Sequence, residues 1–175
     1  NKFNYPTRNG KPVLYFSGNS LGLQPKGVND ALIEQAFIWA EKGADGYFSD
    51  WVDFHQRFLT YFEPIIGGQS HEFMLMNALT VNLHLLMVSF YQPTQERYKI
   101  IIEGGAFPSD QYAVQSQIAF HGLDSNEALV TLKPNTAEDC LNTSDIIESI
   151  ESHGESIALI LLGGVNYYTG QKYDM

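Results

Sequence analysis

Residues 101–112 read IIEGGAFPSDQY. The stretch starts as a buried strand, loosens at Gly104 and Gly105, and then offers an aromatic ring, a proline, a hydroxyl and a carboxylate in succession. A hydrophobic core has no use for that order of side chains at a strand end. A flat, polar ligand does.

Outward from this stretch the chain alternates. EFMLMNA (72–78), YKIIIEGG (98–105), ALVTLKP (128–134) and IALILLGGV (157–165) read as four strands. TVNLHLLMVSFY (80–91), SDQYAVQSQIAFHG (109–122) and NTSDIIESIESHG (142–154) read as the helices between them, two of them closed by glycine. Apolar strands separated by helices predict an α/β class with a mostly parallel sheet covered on both faces. This region, 71–175, is expected to be the first part of an α/β domain. Residues 1–70 are helical and irregular by pattern. PKGVNDALIEQAFIWAEKG (25–43) sets Val28, Leu32, Ala36 and Trp39 on one helical face, and DGYFSDWVDFHQRFLTYF (45–62) predicts a loop running into a helix that stops before Pro64.

Composition narrows the function. A chain of 175 residues, 44% hydrophobic and 13% aromatic, is long enough to fill a core. A net charge of −10 and a pI near 4.7 argue against a nucleic-acid partner, which needs clustered Lys and Arg. No run approaches the length of a membrane span, and the amino terminus lacks the apolar stretch of a signal peptide. A cytoplasmic location is the expectation. The single cysteine, Cys140, cannot form an internal disulfide and reads as an ordinary thiol. The five histidines show no metal-ligand spacing, so no metal is expected; His84, in an apolar helix, reads as a hydrogen-bonded interior residue. The chain does not open with Met and is expected to be part of a longer protein.

In open α/β sheets ligands bind beyond the carboxyl ends of the strands. At NALTVN (77–82), a strand running into a helix sets Thr80 beside unpaired backbone N–H groups, which makes an anion site and commonly a phosphate site. Taken alone, Thr80 as a simple helix cap is the better reading. Neither a dinucleotide glycine fingerprint nor a phosphate-binding loop motif occurs. Ser109 and Asp110 likewise suit capping. Phe107 suits stacking against an aromatic ligand, with Asp110 meeting a polar heteroaromatic edge. A phosphate seat beside an aromatic shelf fits pyridoxal phosphate, and flavins and nucleotides also fit.

YFSGNSLGLQP (15–25), MNALTVNLHLLM (76–87), AFPSDQYAVQSQ (106–117) and YYTGQ (167–171), in this order and spacing, resemble kynureninase. The resemblance implies a pyridoxal-phosphate enzyme of the aspartate-aminotransferase fold, the fold type I group, working as a homodimer in tryptophan breakdown. Such enzymes hydrolyse the Cβ–Cγ bond of L-kynurenine or 3-hydroxykynurenine, giving anthranilate or 3-hydroxyanthranilate and alanine. Motif by motif, it implies that Leu79 and Thr80 hold the cofactor phosphate, that Phe107 stacks on its ring, that Pro108, Ser109 and Asp110 complete that wall, and that Ser20 lies near the substrate. The family's Schiff-base lysine is expected beyond Met175, so none of the lysines here is assigned a catalytic role, and the 175 residues alone are expected to be inactive and prone to associate. Gly163 stands where the family often has serine or another polar residue. Two other readings stay open: a non-catalytic binding module with an exposed sheet edge, and another enzyme of the same fold, such as a cysteine desulfurase.

Overall fold

The computed structural model describes residues 2–134 and 140–174. Contacts divide the chain into two units, Asn1–Leu75 and Met76–Met175.

In the first unit, β1 (Thr7–Arg8) pairs antiparallel with β2 (Lys11–Pro12) across Asn9-Gly10, both with positive φ (52° and 72°). Two left-handed residues in a row make the tight hairpin turn that Asn-Gly favours, a signal the helical reading of this region passed over. Helix α1 (Val28–Lys42) ends at Gly43, as expected. Much of its apolar face is uncovered: Leu32 and Trp39 are 64% and 70% exposed. The aromatic stretch is more ordered than the loop expected. It forms a π-helical turn at Tyr47–Trp51 and a 3-10 turn at Phe54–Phe58, and the Trp51 indole donates to Gln35 Oε1 at 2.8 Å. Helix α2 (Leu59–Ile66) runs through Pro64 instead of stopping before it. Pro64 stands in the last turn, where its missing N–H costs one bond and Gly67 closes the helix by donating to Glu63 O. Among the described residues of this unit, no large apolar side chain is buried.

The expected strand at 72–78 is absent. The backbone is extended at Phe73 and at Ala78, but no described neighbour pairs with it, and an apolar run without a ladder partner is only an extended segment.

The second unit begins with α3 (Leu79–Phe90). Strand β3 (Lys99–Glu103) follows, then α4 (Pro108–Phe120), the short α5 (Ser125–Ala128), β4 (Leu129–Leu132), α6 (Thr143–His153) and β5 (Ile157–Leu161). The class is α/β, and among the described residues the sheet has three parallel strands rather than four, in the order β4-β3-β5. Successive side chains of a strand face opposite ways. Ile100 and Ile102 therefore join Met87 and Tyr91 with Val114 and Ile118 of α4 on one face, while Ile101 joins Leu132, Leu141 and Tyr173 on the other, where Ile146 and Ile150 of α6 also pack. All three isoleucines are at most 3% exposed, and each stabilises the fold by about 1.5–3 kcal/mol through burial. Helices thus cover both faces of the central strand.

The sheet opens at Gly104. Its N–H donates to Leu132 O at 2.6 Å, and a Cβ there would stand 2.3 Å from the same oxygen. Alanine at Gly104 is expected to cost about 2–3 kcal/mol, since overpacking costs roughly 1–3 kcal/mol and backbone cannot yield. At Gly105 only the positive φ of 75° opposes a side chain, so alanine there is expected to cost about 1–2 kcal/mol. Urea unfolding of the two variants side by side checks the order.

Candidate functional site

Two helix starts and one strand end make up the site. Phe107 occupies the N-cap position of α4, with Pro108 at the first helical position. There the missing N–H is harmless, because the first N–H groups of a helix have no carbonyl partner within it. Neither Ser109 nor Asp110 caps α4; the Ser109 hydroxyl donates to Asp110 Oδ1 at 3.3 Å instead. The capping role weighed for these two residues is not what they do. Phe107 is 51% exposed, and the ring of Tyr167 stands edge-on to it, with centroids 5.1 Å apart and planes at 76°.

Helix α3 starts similarly. Ala78 is its N-cap residue and no side chain caps it, Thr80 included. The first bond into the helix backbone is Asn82 N–H to Ala78 O at 3.0 Å, so the N–H groups of Leu79, Thr80 and Val81 have no intrahelical acceptor. These amides and the helix dipole favour an anion. The Asn82 side-chain amide donates to Asn77 O at 3.2 Å, while its own oxygen is buried without a hydrogen-bond partner.

Between these elements lies a cavity of about 510 Å³ whose walls include Leu79, Asn82, Glu103, Asp110 and Gly163. Leu79 and Asp110 therefore border one space, whereas Thr80, Phe107, Pro108 and Ser109 stand outside its lining. Among the described residues no lysine borders it. Lys133 lies instead on a second hollow, of about 620 Å³, with Gly104, Gly105 and Tyr167. At Gly163 a Cβ would stand 3.3 Å from Glu103 Oε1, so a polar side chain there would meet that carboxylate. Ser20 belongs to the first unit, in an exposed turn where its N–H and that of Leu21 both donate to Ser17 O at 3.0 Å. Tyr15 fastens this turn by donating to Leu21 O.

Sequence reasoning missed Glu103 and its partners. The side chain is 6% exposed and accepts from the Tyr173 hydroxyl at 2.5 Å and from Asn166 Nδ2 at 3.2 Å. A carboxylate closing a run of three isoleucines was the available signal, because a charge at a buried strand end needs donors. His84 Nδ1 meets Gln117 Nε2 at 3.1 Å, linking α3 to α4. Among the described residues no three His, Cys, Asp or Glu side chains gather as a metal would require, and no helix is long and apolar enough to cross a membrane.

No protein-family model matches the chain. Curated relatives do. It is 49% identical to the kynureninase of Myxococcus xanthus over 97% of its own length and 41% of that protein's. The corresponding figures are 50%, 99% and 42% for the kynureninase of Christiangramia forsetii, and 47%, 93% and 36% for that of Homo sapiens. The chain is kynureninase-like along nearly its whole length. It spans about two fifths of the length of the curated kynureninases it matches.

Burial, then the hydrogen bond to and the charge of Glu103, push the Tyr173 phenol well above the ordinary value of 10.0. Burial also raises Tyr91, which donates to Tyr98 O at 2.7 Å. A folded-state value raised above the unfolded one leaves the stabilisation intact below about pH 10 and removes it as pH climbs further. Ultraviolet titration is expected to show these two phenols ionising above the ordinary phenol range, with stability falling above pH 10 and Tyr173→Phe reducing that fall.

Proposed function

We propose that this chain forms the cofactor seat of a pyridoxal-phosphate-dependent kynureninase of the aspartate-aminotransferase fold. The observation that carries the reading is the uncapped start of α3 at Leu79-Thr80, in a unit where an exposed aromatic ring also leads into α4 and in a sequence about half identical to kynureninases. The donor set suits the group: free amides and a hydroxyl for a phosphate, a half-exposed ring for a pyridine face, and a carboxylate, Asp110, for its polar edge.

In this reading the N–H groups at Leu79 and Thr80, with the Thr80 hydroxyl, bind the phosphate. Phe107 covers one face of the ring, and Pro108 fixes where that ring starts. Ser109 orients Asp110, which accepts from or balances the ring's polar edge. Bound there, pyridoxal phosphate supplies an electron sink for charge developing on the substrate. The reaction is hydrolysis of the Cβ–Cγ bond of L-kynurenine or 3-hydroxykynurenine to anthranilate or its 3-hydroxy form and alanine. Ser20 is assigned to the substrate side, where the family tunes its preference for the ring hydroxyl. The full-length protein is taken as a cytoplasmic homodimer, and uncovered apolar side chains such as Phe16 and Leu14 supply surface for association. Turnover is assigned to the longer protein and none to these 175 residues alone.

The affinity of the chain for pyridoxal phosphate tests the seat. Thr80→Ala is expected to weaken it about 10- to 100-fold, since hydrogen bonds to charged groups contribute roughly 1.5–3 kcal/mol. Phe107→Ala is expected to weaken it about 3- to 10-fold, the worth of a ring contact. Unchanged affinity in both variants would remove the seat from this position. For the activity, a longer protein carrying this sequence is expected to release anthranilate, followed by its fluorescence, from kynurenine, whereas release of sulfur from cysteine would indicate a desulfurase.

A further inference from the structure

We propose that Glu103 is a positioning residue for the aromatic wall: through Asn166 and Tyr173 it fixes the segment after β5 so that Tyr167 holds the ring of Phe107 in place. The proposal rests on the reading of Phe107 as the ring that covers the cofactor.

Phe107 and Tyr167 are each 51% exposed, so core packing fixes neither ring. Phe107 takes its place from the start of α4. Tyr167 takes its place from a segment anchored on both sides. One anchor is Asn166, 5% exposed, whose amide donates to Glu103 Oε2 while its oxygen accepts from the N–H groups of Tyr168 and Thr169 at 2.9 Å and from the Thr169 hydroxyl at 3.2 Å. This local ring of bonds is the turn asparagine prefers. The other anchor is Tyr173, whose hydroxyl shares the same carboxylate oxygen and whose N–H donates to Gly164 O at 3.3 Å. The two arms are tied at Asn166 N–H to Gln171 O, 2.8 Å. Gln171 adds a side attachment, its amide accepting from Leu141 N–H and donating to Leu141 O. A buried carboxylate that accepts two donors from one segment is a strong tether, because releasing the segment leaves the charge without partners.

Gly163 completes the arrangement. With no Cβ there, Glu103 keeps Oε2 for the two donors and leaves Oε1 beside the cavity wall.

The test uses the 175-residue chain, first without cofactor. A nuclear Overhauser contact between the rings of Phe107 and Tyr167 is expected in the parent chain and in Glu103→Gln, whose side-chain oxygen still accepts both donors. It is expected to vanish in Glu103→Ala and in Asn166→Ala, read in whichever of the two keeps the amide dispersion of the folded chain. Persistence of the contact in either folded alanine variant, or its loss in Glu103→Gln as fully as in Glu103→Ala, overturns the proposal. With pyridoxal phosphate added, Glu103→Ala is expected to weaken binding about 3- to 10-fold, and adding Tyr167→Ala to it is expected to cost nothing more, because both act through one contact. Additive losses overturn the proposal. If Phe107→Ala binds the cofactor unchanged while the ring contact still follows Glu103, the stacking role of Phe107 fails and the tether stands.

Discussion

Everything in the second unit hangs on the two-sided burial of β3. Ile100 and Ile102 commit one face to α3 and α4, Ile101 commits the other to α6, and both parallel neighbours pair with this one strand. A central strand cannot shift by one residue without turning every side chain to the wrong face. Its carboxyl end is therefore a fixed point. Glu103, Gly104 and the start of α4 inherit their places from it, and the close pass of Gly104 by Leu132 brings β4 to the same end.

Charge raises a quantitative objection: a chain of net charge −10 is assigned a dianionic phosphate. Exposed charges farther away than about 10 Å are largely screened at physiological salt, whereas amides at a helix start act at hydrogen-bond range. The nearby carboxylates have hydrogen-bond donors of their own. Glu103 is held by two donors and Asp110 by Ser109. In the proposed seat local dipoles act on the phosphate, and the global charge bears on solubility and on encounter rates.

The sequence made the class, the central strand and the helices α3, α4 and α6 legible because each has a strong periodic pattern or a sharp stop. What it misjudged shares a cause. EFMLMNA has the composition of a strand, but a strand exists only with a partner, and partnership is not written in the segment itself. Proline stops a helix in its interior, and Pro64 falls in the last turn. The Asn9-Gly10 hairpin is legible in the sequence as a dipeptide turn signal. At the site, Leu79 and Asp110 border one cavity, while the tether through Glu103, Asn166 and Tyr173 joins residues about 60–70 positions apart and no local motif announces it. Ser20 belongs to the other unit and came only from the resemblance.

The central claim is that a phosphorylated pyridine ring is seated where α3 and α4 begin. The most direct measurement is an amide and aromatic NMR titration of the chain with pyridoxine phosphate, which lacks the aldehyde and so cannot react with lysines. The account predicts the largest shifts at the amides of Leu79, Thr80 and Val81 and on the ring of Phe107. Saturable binding that leaves those signals in place and moves others would contradict it.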